Sequence, residues 1–474
     1  MNFRKLAGNM ATAFAAQGVS FLASIAMSLL VPKVLGVATY GYWQLFVFYT
    51  TYSGFFALGL NDGVYLIEGG TSREEIDKRA INSQFWVEAV FQVILGFIIG
   101  LVATILAPEP QRAFVFGGFA IYTVIFNLSG FLGYVFQSMN ETKLYSYSTM
   151  IERFVFLIAV IAMVALRVPA FEPYVVAYLI SKGCSLGYCC FHARDFFKAG
   201  FLGLPESVRL CISSMKVGIA LMISNVASML ILGVARALVD NAWGIEAFGR
   251  VSFSLSMVNF FIAFVGQASM VLFPALRQGS EQERRSFYRG IRDAMEIAFP
   301  LVYILYFPMA AILSLWLPQY ADSMHFFAIL LPVCVFNTKM DICCTTYFKV
   351  LREERTLLKV NVATVLASLI LSLIGVYVLG SLDPVLIGAV TAIIGRALWS
   401  EHYLNGRLAV STSRIPIEEV LLTVAFLALT LLTPAAIAIC GYAVLYCVYL
   451  IANRNVTRGL LQSTRHVLSK GRNG

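Results

Sequence analysis

About fourteen windows of roughly twenty mostly apolar residues recur along this chain, centred near Leu22, Thr50, Ile94, Ile125, Val160, Ile180, Met229, Phe260, Tyr306, Pro332, Leu369, Ile394, Leu427 and Tyr446. A helix of that length crosses the hydrocarbon core, where the backbone must satisfy its own hydrogen bonds. Only 13% of the 474 residues are charged and 59% are hydrophobic, whereas about a quarter are charged in a soluble chain. The pattern predicts an all-α polytopic membrane protein with about fourteen transmembrane helices. Pro434 is almost the only break between the last two windows. Arg4 and Lys5 precede the first apolar run as in a signal peptide, but Met10 to Val31 is too long for a signal core, so an uncleaved first helix is expected.

Alternating the loops between two sides sorts the 35 Lys and Arg sharply. The side of the N-terminus receives 26, the other side only Lys33, Arg112, Arg167 and Arg250, and five remain within spans: Arg153, Lys182, Arg236, Lys339 and Arg396. Positively charged loops stay cytoplasmic, so both termini are expected inside. The net charge of +9 is thereby read as a topology signal with some attraction to anionic headgroups, and nucleic acid is not expected as a partner. The tail from Asn455 to Arg472 spaces Val456, Leu460, Leu461, Val467 and Leu468 on one face, with Arg458, Arg465 and Lys470 interspersed. Such a segment suits a helix on the inner leaflet, the alternative being a frayed basic tail. The sequences SREE at Ser72 and SEQE at Ser280 predict two further loop helices through capping boxes.

None of the nine Cys falls in an expected external loop, so no structural disulfide is implied. The doublets Cys189–Cys190 and Cys343–Cys344 lack metal-ligand spacing, and the four His are scattered, so no metal site and no cofactor are expected. No phosphate-cradling loop of the ATP-binding type is present.

The stretch LGVATYG (Leu35–Gly41) recurs as WGIEAFG (Trp243–Gly249), 208 positions later. An offset of six spans keeps the same orientation, which predicts two parallel six-helix bundles related by an axis along the membrane normal. The expected divisions are a first bundle over 1–191, a cytoplasmic linker over 192–213, a second bundle over 214–404, and two added helices with the basic tail over 405–474.

Three stretches then carry a resemblance: Gly41–Gly70, Val217–Met257 and Tyr347–Asn361. They resemble the bacterial polysaccharide flippases of the multidrug/oligosaccharidyl-lipid/polysaccharide exporter superfamily, and the likeness extends over essentially the whole chain. The resemblance implies a V-shaped pair of bundles around a cavity that opens alternately to each face. It also implies a polyprenyl-diphosphate-linked oligosaccharide as cargo, as in O-antigen and lipopolysaccharide assembly, and transport without bond chemistry. The setting it implies is a bacterial inner membrane, with membrane lipids and polysaccharide polymerase or assembly proteins as partners.

Charged groups in hydrocarbon are costly and become functional candidates by default. Lys182 and Arg396 sit nearest mid-membrane; Arg236, Arg153 and Lys339 lie at other depths. Competing readings are snorkelling for Lys339, a helix-end role beside Asp240 for Arg236, and pairing with Glu152 for Arg153. Against these five cations stand Glu88, Glu152 and Asp341, read as charge partners or ion-coupling groups. Glu88 is left open between a partner for Lys182 and a proton site. The positive excess suits a diphosphate better than an organic cation. Lys339 and Asp341 lie about 200° apart around one helix, with Lys339 expected to face a cavity and Asp341 to be its structural complement. Pro332 and Asn337 are expected to bend that helix.

Alternating access driven partly by the membrane potential, about 2.3 kcal/mol per charge per 100 mV, is the expected mechanism. A multidrug antiporter of the same superfamily is the nearest alternative, disfavoured because Met10–Val31 has no carboxylate. A membrane glycosyltransferase or polymerase would need larger external loops than APEPQR, RVPAFEP, PQYADS or GSLDP. A non-transporting scaffold is disfavoured by intramembrane cations at several depths.

Overall fold

The structure is a computed structural model that describes residues 18, 22–107, 109–269, 281–410, 415–454 and 456–457. The expected helix cap at Ser280 and most of the basic tail lie outside these residues, as does much of the stretch from Met10 to Val31. The described chain is helical throughout, with no strand among the described residues. Among the described residues nine helices are long and apolar enough to cross a membrane, or ten when one bent pair is counted as a single span. This is an all-α, multi-pass membrane protein. Its described residues form two compact units, one from Met1–Leu230 with Trp243–Gly249, the other from Ile231–Ala242 with Arg250–Gly474.

In the first unit, α1 (Leu22–Val34) leads to α2 (Val37–Thr50), which stops at a 3-10 turn over Ser53–Ala57 before α3 (Leu60–Ile67) resumes. The break is fixed by left-handed backbone at Leu58 (φ 50°) and Gly59 (φ 81°). Then follow α4 (Lys78–Leu106), α5 (Pro110–Ser138), α6 (Thr142–Ala165), α7 (Glu172–His192) and the short α8 (Arg194–Phe197). The continuous stretch α9 (Leu204–Ser269), whose residues divide between the two units, contains Gly244 in a non-helical conformation, φ 78° and ψ −173°. Its 66 residues would measure about 100 Å as one straight helix, far beyond the ~30 Å core, so the break at Gly244 is what lets it serve as more than one span.

Small residues let the backbones of this unit approach closely. Gly59, just before α3, and Gly63 within it lie against Ser214 and Gly218 of α9: a Cβ on Gly63 would sit 1.8 Å from the Ser214 carbonyl oxygen, and one on Gly218 2.0 Å from that of Gly59. The two copies of the repeated heptad also meet. A Cβ on Gly41 would come within 2.5 Å of the Ile245 carbonyl oxygen, and one on Gly249 within 3.1 Å of the Gly41 Cα.

At Ser72 the sequence predicts a helix, and the structure has only a turn. The Glu75 carboxylate does reach back to the Ser72 N–H at 3.1 Å. The helix instead starts at Lys78, because the Asp77 side chain accepts from the N–H groups of Arg79 and Ala80, each at 3.0 Å. The chain between α7 and α9 is stapled down: Arg73 donates to the His192 carbonyl, Arg79 to that of Phe201, and Asn82 to that of Gly200.

In the second unit, α10 (Glu281–Ala298) and α11 (Leu301–Trp316) meet at a 41° bend. Pro300 causes it, because a proline has no N–H for the carbonyl four residues back. Next come α12 (Ser323–Val350), which contains Pro332 and a π-helical turn over Met340–Thr345, α13 (Glu354–Tyr377), α14 (Leu382–Arg407), α15 (Ile415–Leu432) and α16 (Ala435–Ala452). Helix α16 repairs the bend. Tyr442, Tyr446 and Tyr449 share one of its faces and donate to the carbonyls of Pro300, Ile297 and Glu296 at 3.0, 2.8 and 2.9 Å. Cys343 and Cys344 lie in the buried core of this unit with Tyr288, Tyr347, Phe348 and Leu404.

Candidate functional site

The in-span charges fall into distinct environments in each unit. The first gathers three predicted residues. Lys182 of α7 lies 2.7 Å from Glu152 of α6 and 5.0 Å above the Phe126 ring. Arg153, next along α6, has Tyr178, Glu152 and Tyr122 as its electrostatic neighbours. Trp43, Phe46, Phe156, Tyr122 and Tyr178 pack ring against ring beside them. Two cations therefore face one carboxylate in an aromatic surround. Two donors there, Arg153 Nε and the indole N–H of the fully buried Trp43, have no hydrogen-bond partner among the described residues. The unmet hydrogen bonding in this cluster is on the donor side.

The second environment has the opposite sign. Glu88 of α4, 1% exposed, is not the partner of Lys182; its Oε1 accepts from the Gln92 amide at 2.8 Å. Gln92 also donates to the Phe56 carbonyl at 2.8 Å. Asn127 of α5 donates to the Ser53 carbonyl at 3.1 Å and to Gln92 Oε1 at 3.0 Å. Asn61 donates to the Asn127 carbonyl. The Gln92 and Asn127 amides thus satisfy the Phe56 and Ser53 carbonyls at the interruption of the second span.

The third environment corrects the expectation for the 334–348 stretch. Lys339 is 1% exposed, and its ammonium sits 3.1 Å from Glu296, 2.7 Å from Glu401 and 2.9 Å from Glu419. Asp341 is the exposed member of the pair and Lys339 the buried one. The physical reason is that α10, α14 and α15 each bring a buried glutamate to the same point. The sequence count of within-span acids, Glu88, Glu152 and Asp341, does not include Glu296, Glu401 or Glu419, so its excess of cations does not hold in the second unit. Nearby, Arg292 is 2% exposed and donates to Asp293 and Asn405.

The remaining cations lie elsewhere in the second unit. Arg396, 5% exposed, donates to Asn337 at 3.0 Å and to Asn361 at 3.4 Å, with Asp341 as a charged neighbour. Arg236 donates to Ser252 at 2.9 Å. The glutamates around Lys339 were detectable in principle: each lies within a turn or two of an apolar run, but only tertiary packing shows that they converge. Trp43, Gln92 and Asn127 carry no sequence signal beyond being polar groups in apolar windows.

No protein-family profile matches the sequence, and no curated protein matches it. Solved structures do. An inward-facing multidrug resistance MATE family transporter of the MOP superfamily superposes with a TM-score of 0.61 at 13% identity, covering 82% of this chain and 94% of its own. The lipid II flippase MurJ in an inward closed conformation gives 0.60 at 13% identity, covering 95% of this chain and 99% of its own. A MATE protein in a bent conformation gives 0.52 at 13% identity, over 84% of this chain and 93% of its own. The chain therefore has the all-helical fold shared by these membrane transporters and flippases.

Proposed function

We propose that the chain is a flippase that moves a polyprenyl-diphosphate-linked oligosaccharide from the inner to the outer leaflet by alternating access. The observation that carries the reading is the donor surplus at Lys182, Arg153 and Trp43, where two cations face one carboxylate and two buried donors lack acceptors. A diphosphate supplies negative charge and acceptor oxygens together, and Arg and Lys donors match it. The aromatic surround would face the apolar or sugar portions of such a ligand. Arg396 and Arg236 are the candidates for phosphate contact in the second unit. The likeness to the lipid II flippase also supports the reading, because it extends over 95% of the chain whereas the MATE transporter covers 82%.

In this proposal the setting is a bacterial inner membrane with both termini cytoplasmic, and the product feeds cell-surface polysaccharide assembly. An inside-negative potential would favour outward movement of an anion by about 2.3 kcal/mol per charge per 100 mV. No bond-making step is assigned to the chain.

A multidrug antiporter is the second reading. Buried carboxylates favour it, above all Glu88, which forms no ion pair among the described residues. Thermal stability of the purified protein, titrated with a short-chain polyprenyl diphosphate and separately with a lipophilic organic cation, separates the two. Stabilisation by the diphosphate alone, lost in Lys182→Ala and Arg153→Ala, is the expected result. Stabilisation by the organic cation alone overturns the flippase reading and puts the antiporter in its place.

A further inference from the structure

The amides around Glu88 leave a specific deficit. Both hydrogens of the Gln92 amide are used, on Phe56 O and Glu88 Oε1, and both of Asn127, on Ser53 O and Gln92 Oε1. Glu88 Oε2, Asn61 Oδ1 and Asn127 Oδ1 remain as buried acceptors without a donor. All three residues are more than nine-tenths buried, and the network links them through Gln92 and the Asn127 backbone. A buried carboxylate in a span needs a counter-charge, and Glu88 has no ion pair among the described residues. A group that brings positive charge to surplus oxygen acceptors completes such a network; a further acceptor would worsen it.

We infer that Glu88, with Asn61 and Asn127, holds a monovalent cation, a proton or a sodium ion, beside the interrupted middle of the second span. The location gives the ion a way to act. The Gln92 amide that donates to Glu88 also donates to the Phe56 carbonyl, and Asn127, which donates to Gln92, also donates to the Ser53 carbonyl, so cation occupancy and the backbone of that span are joined through Gln92 and Asn127. The site would give the proposed transporter its coupling ion. The surrounding elements also carry Asp62 on α3, Tyr122 on α5, Arg194 and Asp195 on α8, and Cys211 and Lys216 on α9, and none of these hydrogen-bonds or ion-pairs with Glu88.

The test uses the full-length protein in lipid nanodiscs with no lipid-linked sugar present, so that its failure leaves the diphosphate reading untouched. Thermal stability is followed in two titrations: sodium against choline at alkaline pH, and pH in sodium-free buffer. Glu88→Gln supplies a neutral side chain with its own donor, and it should be insensitive to the titration that stabilises the wild type. A saturating sodium response in the wild type identifies sodium; a response to acidification alone identifies the proton. Equilibrium binding of radioactive sodium to the wild type, with protons as competitor, gives a readout that needs no variant. A wild type indifferent to both titrations, or a Glu88→Gln protein that keeps the full wild-type response, overturns the inference.

Discussion

Tyr449 donates its hydroxyl hydrogen to the carbonyl of Glu296 at 2.9 Å, the very acceptor that Pro300 leaves without a helical donor. The last span thus completes the backbone bonding of a broken helix, with Tyr446 and Tyr442 continuing along the bend. Phenylalanine at Tyr449 keeps the ring and removes the hydroxyl, leaving a buried carbonyl unsatisfied. The expected loss is about 1–3 kcal/mol, read as a lowered unfolding midpoint in detergent. An unchanged midpoint would mean that water replaces the hydroxyl.

Lys339 is in contact with three buried glutamates. Removing one member of a buried ion group costs about 3–5 kcal/mol, because the charges left behind stay buried. Lys339→Met should therefore fall in that range. Combining it with Glu296→Gln, Glu401→Gln and Glu419→Gln should recover most of the loss. A quadruple variant no more stable than Lys339→Met would show that the loss comes from packing.

The expected penalties at Gly63 and Gly218 are steric. Gly63→Ala would place a methyl carbon 1.8 Å from a backbone oxygen, which no rotamer change relieves. A loss of about 3 kcal/mol is expected, the upper end for overpacking. Gly183→Ala, where a Cβ meets nothing within 4 Å, is the control and should stay near wild type.

Asp195 provides the pH dependence outside the spans. Partial burial pushes its carboxyl up, but the hydrogen bond from Lys78 and the charges of Arg73 and Lys78 outweigh burial and leave it below the usual Asp value. A carboxyl lowered by folding stabilises above its unfolded pKa and loses that contribution as pH falls through the folded one. Because the side chain is about one-third exposed, the contribution is at most about 1 kcal/mol. The stability gap between wild type and Asp195→Asn should be constant at neutral pH and close below about pH 4. A gap that widens on acidification would reverse the sign of this assignment.

Apolar windows carried most of the fold, since a twenty-residue run in hydrocarbon has almost no alternative to a helix. All fourteen window centres fall on helical residues, and even the uncertain pair at Leu427 and Tyr446 resolves into α15 and α16. The repeat at Leu35 and Trp243 was visible as spacing, whereas the packing of Gly41 against Ile245 was not. Charge pairing was poorly legible for the same reason. Lys182 meets Glu152, thirty residues away, instead of Glu88, and Lys339 meets glutamates on three other helices. Helical spacing orders the residues on one helix, but it does not say which face another helix presents.

The arrangement around Lys339 also bears on biogenesis. A lysine at the centre of a lone inserting helix costs roughly 2.5–3.5 kcal/mol, and Glu401 and Glu419 are synthesised more than sixty residues after it. Glu296 is already present, at the end of the helix that leads through the Pro300 bend into α11. The segment from α10 to α12 can thus enter the bilayer as a hairpin that carries its own ion pair, and the later glutamates join a charge that is already neutralised.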